Sequence, residues 1–127
     1  MNGYRNRRIR LGVFVAVSVL IMLGMHMGRA HAEDARKFTL INVALDGTKI
    51  WLPSTVVVPA GARVELTLIN KLDEPHGFKI AAFDVEEVVQ PKATTIVQFS
   101  ASRAGAFAYM CHIHPPHIGG QILVLEK

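Results

Sequence analysis

One short stretch of the sequence gathers most of the side chains that could bind a metal ion. Residues 109–117 contain the only cysteine, Cys111, and three of the six histidines, His112, His114 and His117. A thiolate and imidazoles are the donors that copper and zinc prefer. The types and spacing of these residues therefore predict a metal site on a single loop.

The residues on either side of this stretch indicate what holds it in place. The apolar residues 121–125 are typical of a strand, and Phe107 and Tyr109 alternate with alanine just before Cys111. The donors are therefore expected on a loop that joins two strands. A further histidine, His76, stands 35 residues before Cys111, where a polar loop gives way to another apolar segment.

The rest of the sequence after residue 32 predicts further strands. Apolar and polar residues alternate in short runs that end at glycine or proline, and no helical periodicity exceeds about two turns. The predicted strands cover residues 36–45, 50–52, 56–58, 64–69, 76–80, 94–99, 106–111 and 121–125. Residues 81–89 fit either a short strand or an irregular segment. This pattern predicts one all-β domain, a Greek-key β-sandwich or barrel.

The first 32 residues have the pattern of a secretory signal peptide. A basic start with four arginines is followed by an apolar run over residues 11–25, and residues 30–32 fit a cleavage site. The run is shorter than the roughly 20 residues of a membrane-spanning helix, and an uncleaved anchor is the alternative. We expect a signal helix at residues 1–32 and a periplasmic or otherwise exported domain at residues 33–127.

The positive charge of the chain belongs to that first segment. Five of the 14 basic residues lie within residues 1–32, which leaves nine basic and ten acidic residues and a net charge of −1. The pI of about 9.6 is therefore no indication of binding to nucleic acid or to lipid. A single cysteine cannot form an internal disulfide, which favours a ligand role in an exported chain.

The donors can be arranged around one ion. Loops at the same end of a sandwich meet, so we expect His76, Cys111 and His114 to form a trigonal set with His117 as the axial fourth donor. We do not expect His112 to be a ligand, because its direction alternates away from its neighbours. One thiolate and three imidazoles also complete a tetrahedral zinc site. A cysteine nucleophile is a third alternative, for which no Asn or Asp stands at a suitable spacing.

Three stretches of this domain carry a family resemblance. The residues concerned are Val57, Pro59, Gly61, Val64, Leu66, Leu68 and Asn70, then Pro75, His76, Gly77, Phe78 and Ile80, then Gly105, Phe107, Tyr109, Cys111, His114, Pro115, His117, Gly120, Ile122 and Val124. This pattern resembles the cupredoxins and covers nearly all of residues 33–127. Residues 77–88 and 104–107 are most similar to nitrosocyanin, the red copper protein. The resemblance implies one copper ion per chain.

Two positions depart from these relatives. Nitrosocyanin has a glutamate where this chain has His76, and most single-copper cupredoxins have methionine at the place of His117. Imidazole favours Cu(II) more strongly than a thioether does. We therefore expect a low reduction potential and a red or green colour rather than an intense blue one.

The loop and the resemblance lead to three hypotheses on function. The first is one-electron transfer without enzymatic activity, in which Ile113, Pro115, Pro116 and Ile118 form a small docking patch for a transient redox partner. The second is an open copper site that binds a small ligand such as a nitrogen oxide. The third is a copper carrier or storage protein. The oligomeric state is left open.

Overall fold

Nine β-strands form most of the structure in the computed structural model, which describes residues 34–114 and 117–127. They are β1 (Arg36–Leu45), β2 (Thr48–Leu52), β3 (Thr55–Pro59), β4 (Arg63–Asn70), β5 (His76–Ile80), β6 (Val85–Val89), β7 (Thr94–Ser100), β8 (Gly105–Tyr109) and β9 (Gly120–Leu125). The predicted signal helix lies outside the described residues, as do Pro115 and Pro116. In the described ranges, no helix is long and apolar enough to cross a membrane.

The strands form two main sheets and a hairpin. One sheet has the order β2-β1-β4-β7, the second has the order β3-β9-β8, and β5 pairs with β6. The pairs β1–β4 and β3–β9 are parallel, and the other pairs are antiparallel. The prediction of an all-β sandwich is confirmed. The ambiguous residues 81–89 form one turn of 3-10 helix, Ala81–Phe83, followed by β6.

The core follows from side chains that alternate between the two faces of each strand. In β4, Val64, Leu66 and Leu68 are buried while the residues between them are partly exposed. Tyr109 of β8 is buried as well, whereas Phe107 of the same strand packs against the core from a half-exposed position. One face of each sheet thus lines the core.

A tight turn joins β1 to β2. Asp46 and Gly47 both have positive φ angles, 49° and 80°, as in the two-residue hairpin turns whose twist matches that of the strands. The turn sets the register in which Asn42 faces Trp51. This register places Trp51 on the inner face near one end of the sandwich, where the predicted site lies.

The start of β5 and the loop after β8 are held side by side. Lys79 and Met110 exchange two backbone hydrogen bonds, at 2.9 Å from Lys79 N to Met110 O and 3.0 Å in the other direction. This short antiparallel pairing aligns the residue after Met110 with the residues before Lys79. It therefore brings the loop that begins at Cys111 next to His76.

Candidate metal centre

The four predicted donors converge at one end of the sandwich. The ligand atoms of His76, Cys111, His114 and His117 all lie within 4.8 Å of one another. His76 begins β5, and the other three belong to the β8–β9 loop. His76 is fully buried, Cys111 is 7% exposed, and the other two are half-buried. The structure thus brings together the set that the sequence predicted.

The three imidazoles of this cluster lack hydrogen-bond partners at several buried nitrogens. Within the described residues, no group bonds to His76 Nε2, His114 Nδ1 or either ring nitrogen of His117. The ring centre of His76 is 5.2 Å from that of His114 and 4.8 Å from that of His117. Buried polar atoms are rarely left without a partner. The unpartnered nitrogens of His114 and His117 leave lone pairs free for a metal ion.

Burial also keeps the imidazoles of His76 and His117 uncharged. Burial, with smaller contributions from the neighbouring His117 and His114, lowers the pKa of His76 to about 4. Burial likewise lowers the pKa of His117. A histidine binds a metal through the neutral ring. Both side chains are therefore in the form that can bind at neutral pH.

The sulphur of Cys111 contacts both Gly77 and His76. Its Sγ accepts a hydrogen bond from the backbone N–H of Gly77 at 3.2 Å, and it is 4.0 Å from His76 Nδ1. Nδ1 is therefore the nitrogen that His76 turns toward the sulphur. The bond from Gly77 therefore holds the sulphur in place beside the His76 ring.

Gly77 and Trp51 support the cluster, a role that the sequence pattern did not predict for either residue. Gly77 O accepts a hydrogen bond from Trp51 Nε1 at 3.1 Å, while Gly77 N binds the sulphur. A Cβ atom at position 77 would lie 2.6 Å from His112 Nδ1, so only glycine fits there. A glycine inside a strand often marks such a close approach, and that signal stands directly after His76.

His112 lies outside the cluster. Its ring packs against Gly77, and its Nε2 is 3.6 Å from Glu86 Oε1. The surface near the loop is apolar: Met110 is 51% exposed, Ile113 36% and Ile118 53%. We call these three residues the apolar rim. Ile113 and Ile118 belong to the predicted docking patch, whose two prolines lie outside the described residues.

Comparison with known proteins identifies the family of this chain. A model of the cupredoxin-like domain matches residues 14–124. The chain belongs to the cupredoxin-like domain family. The prediction of a cupredoxin is therefore confirmed, and the closer likeness to nitrosocyanin stays a prediction.

Solved structures of copper proteins share the cupredoxin-like fold. A copper nitrite reductase from Nitrosomonas europaea has 24% identity and a TM-score of 0.62 over 74% of this chain and 42% of its own. A blue copper oxidase from the same organism has 19% identity and a TM-score of 0.61, covering 74% and 40%. A Cu-containing nitrite reductase from Thermus scotoductus has 26% identity and a TM-score of 0.59, covering 74% and 28%. The chain thus spans less than half the length of each.

The donor set of this cupredoxin-like domain suits a single copper ion. One thiolate and two or three imidazoles, held close together in the folded chain, are the ligands of mononuclear copper sites. The cluster His76, Cys111, His114 and His117 offers this set. Gly77 adjoins the sulphur of Cys111, and its lack of a side chain leaves room for His112 of the loop.

Proposed function

We propose that the chain is an exported mononuclear copper protein that transfers one electron at a time, with His76, Cys111, His114 and His117 as ligands. The observation that carries this proposal is a cluster of one thiolate and three imidazoles whose loop also carries the apolar rim. Copper bound there supplies reversible one-electron chemistry. The protein supplies a fixed ligand set, which keeps the change of geometry between oxidation states small.

The closed ligand set favours electron transfer over the binding of a substrate. Both ring nitrogens of His117 are buried, so the fourth donor faces the cluster rather than solvent. A catalytic metal needs an open coordination position. Four protein donors within 4.8 Å of one another leave little room for one.

The apolar rim is the proposed contact for a redox partner. Met110, Ile113 and Ile118 flank the ligands in sequence and are all at least a third exposed. A small apolar contact suits a transient complex that must dissociate after each electron. Ile113→Asp is expected to slow electron exchange with the partner while the copper spectrum stays unchanged. A matched change away from the rim, Ile96→Asp, is expected to leave the exchange rate unaltered, because Ile96 is 59% exposed on β7.

A copper titration of the chain without residues 1–32 tests this function. We expect one Cu per chain, a thiolate-to-copper absorption band, and a reversible reduction potential that azide does not shift. Cys111→Ala is expected to abolish the band. Loss of Cu(I) to a moderate chelator would instead indicate a carrier, and preferential binding of zinc without redox activity would contradict the proposal.

A copper site open to a small ligand is the second candidate. Its support is the likeness to the Thermus scotoductus nitrite reductase, at 26% identity. The reactivity of that longer protein is not implied for this chain by the shared fold. A change of the optical or EPR spectrum on addition of nitric oxide or nitrite would favour this candidate.

Export rests on the composition of the first 32 residues. Expression of the full chain in a bacterium is expected to deliver a periplasmic protein whose mass corresponds to a start at Glu33. Replacement of Ala30 and Ala32 by bulky residues is expected to block cleavage. A protein of full mass in the cytoplasm would contradict export and leave the copper chemistry unaffected.

A further inference from the structure

Three inward-facing side chains lie side by side on the four-stranded sheet. Asn42 of β1 pairs with Trp51 of β2 on one side and with Asn70 of β4 on the other. Each of the three is at most 1% exposed. We call them the Trp51–Asn42–Asn70 row.

The two outer members of this row hold the backbone on both sides of His76. Trp51 Nε1 donates to Gly77 O at 3.1 Å, and Asn70 Nδ2 donates to Glu74 O at 2.7 Å. Adjacent strands lie about 4.8 Å apart, so the outer members are roughly 10 Å apart. Three residues of extended chain span about the same distance. The row therefore anchors the segment from Glu74 to Gly77 at both ends, and His76 lies between the two anchors.

The centre of the row carries polar atoms that have no partner. Neither Asn42 Oδ1 nor Asn42 Nδ2 forms a hydrogen bond within the described residues, and neither does His76 Nε2. Both residues are 0% exposed. An unpartnered buried amide is unfavourable by about 1–3 kcal/mol. Two such unpartnered groups in the buried interior indicate that Asn42 and His76 are hydrogen-bond partners of each other.

The orientation of the His76 ring agrees with this pairing. Nδ1 faces the sulphur of Cys111, so Nε2 occupies the other side of the ring. His76 also shares its face of β5 with Phe78, whose ring packs on Trp51 at 5.6 Å between centres. The imidazole is therefore on the side of β5 that meets the row.

We propose that Asn42 is a positioning residue for His76, whose Nε2–H donates to the amide oxygen of Asn42 directly or through one water molecule. This inference rests on the proposed function in one respect, since copper at Nδ1 fixes the proton on Nε2. Ligand histidines generally donate their second N–H, and the acceptor sets the ring orientation and raises its basicity. Asn42 thereby influences the copper without touching it.

Nuclear magnetic resonance of the Cu(I)-loaded chain tests the pairing, with ¹⁵N-labelled histidine. We expect a slowly exchanging His76 Nε2–H resonance and a nuclear Overhauser effect between His76 and the Asn42 side chain. Asn42→Leu is expected to speed the exchange of that proton roughly fivefold to tenfold, as for the loss of one hydrogen bond. It is also expected to shift the reduction potential and the thiolate-to-copper band.

Leu40→Val provides the matched control, because Leu40 is buried two residues away on the same face of β1. It is expected to lower stability and to leave the potential, the band and the His76 proton unchanged. Equal effects of the two substitutions on these three readouts would overturn the proposal. If Asn42→Leu fails to fold, the Overhauser effect in the unaltered chain decides alone, and its absence overturns the proposal.

The same Overhauser effect in the metal-free chain separates this inference from the proposed function. A chain that binds no copper but shows contact between His76 and Asn42 would overturn the proposed function and support the positioning role. A chain that binds copper but lacks this contact would support the proposed function and overturn the positioning role.

Discussion

At the scale of single residues, the lack of a side chain at Gly77 lets the β8–β9 loop approach β5. Gly77→Ala would place a Cβ atom 2.6 Å from His112 Nδ1 and 2.9 Å from His112 N. We expect a loss of about 1–3 kcal/mol in unfolding free energy, typical of overpacking, measured by urea denaturation. The double variant Gly77→Ala/His112→Ala is expected to recover part of it. No recovery would show that the ring is not the obstacle.

The imidazole of His117 is expected to set the colour of the protein. Replacement by methionine exchanges a strong donor for a weak, long one, which favours Cu(I). His117→Met is therefore expected to raise the reduction potential and to shift the optical spectrum toward intense blue. His112→Met serves as the control, because His112 lies outside the cluster. Identical spectra for wild type and His117→Met would exclude His117 as a ligand.

Protonation of His76 is expected to destabilise the metal-free chain in mild acid. Burial lowers its folded pKa from 6.5 to about 4, so the unfolded chain takes up the proton first as the pH falls. Stability is then full above pH 6.5 and is lost progressively between pH 6.5 and 4. Thermal melting of the metal-free chain across this window measures the effect. A His76→Phe variant is expected to show a weaker dependence, and an equal one would refute this assignment.

At the scale of elements, the turn between β1 and β2 depends on left-handed backbone. Gly47 has a φ of +80°, where a residue with a Cβ atom is less stable by about 1–2 kcal/mol. Gly47→Ala is expected to reduce the unfolding free energy by this amount. Gly47→Asn is expected to lose less, because asparagine tolerates that conformation. Since nothing lies within 4 Å of a Cβ at this position, equal losses would contradict the conformational explanation.

Strands were predictable from alternation, and their partners were not. The period of two in β4 marks Val64, Leu66 and Leu68 as an inner face, and the structure agrees. Residues 81–89 lack that period, because a turn of 3-10 helix interrupts them before β6. The parallel neighbours β1–β4 and β3–β9 join strands far apart in the sequence, and no local pattern encodes such pairing.

The clustering of donors on the β8–β9 loop was predictable because these donors lie close together in the sequence. Cys111, His114 and His117 fall within seven residues, and His76 follows a polar loop that could reach them. The supports of the loop were not predictable. The bond from Trp51 to Gly77 depends on how two sheets meet, and tertiary contacts of this kind leave no periodic signal.

At the scale of the whole molecule, copper is expected to stabilise the fold. A ligand that binds only the folded state at a hundred times its Kd adds about 2.7 kcal/mol. Addition of a chelator to the copper-loaded chain is therefore expected to lower Tm by several degrees, as measured by calorimetry. The Cys111→Ala variant provides the control and is expected to melt at a temperature that the chelator does not change. An unchanged Tm for wild type would contradict a tightly bound ion.

The burial of Cys111 also affects the order in which folding and metal binding can occur. Oxidants attack a thiol only as far as it is accessible, and Cys111 is only 7% exposed. Burial is therefore expected to slow the oxidation of this sulphur in a folded chain that holds no metal. Folding before metal binding would then protect the ligand until an ion binds.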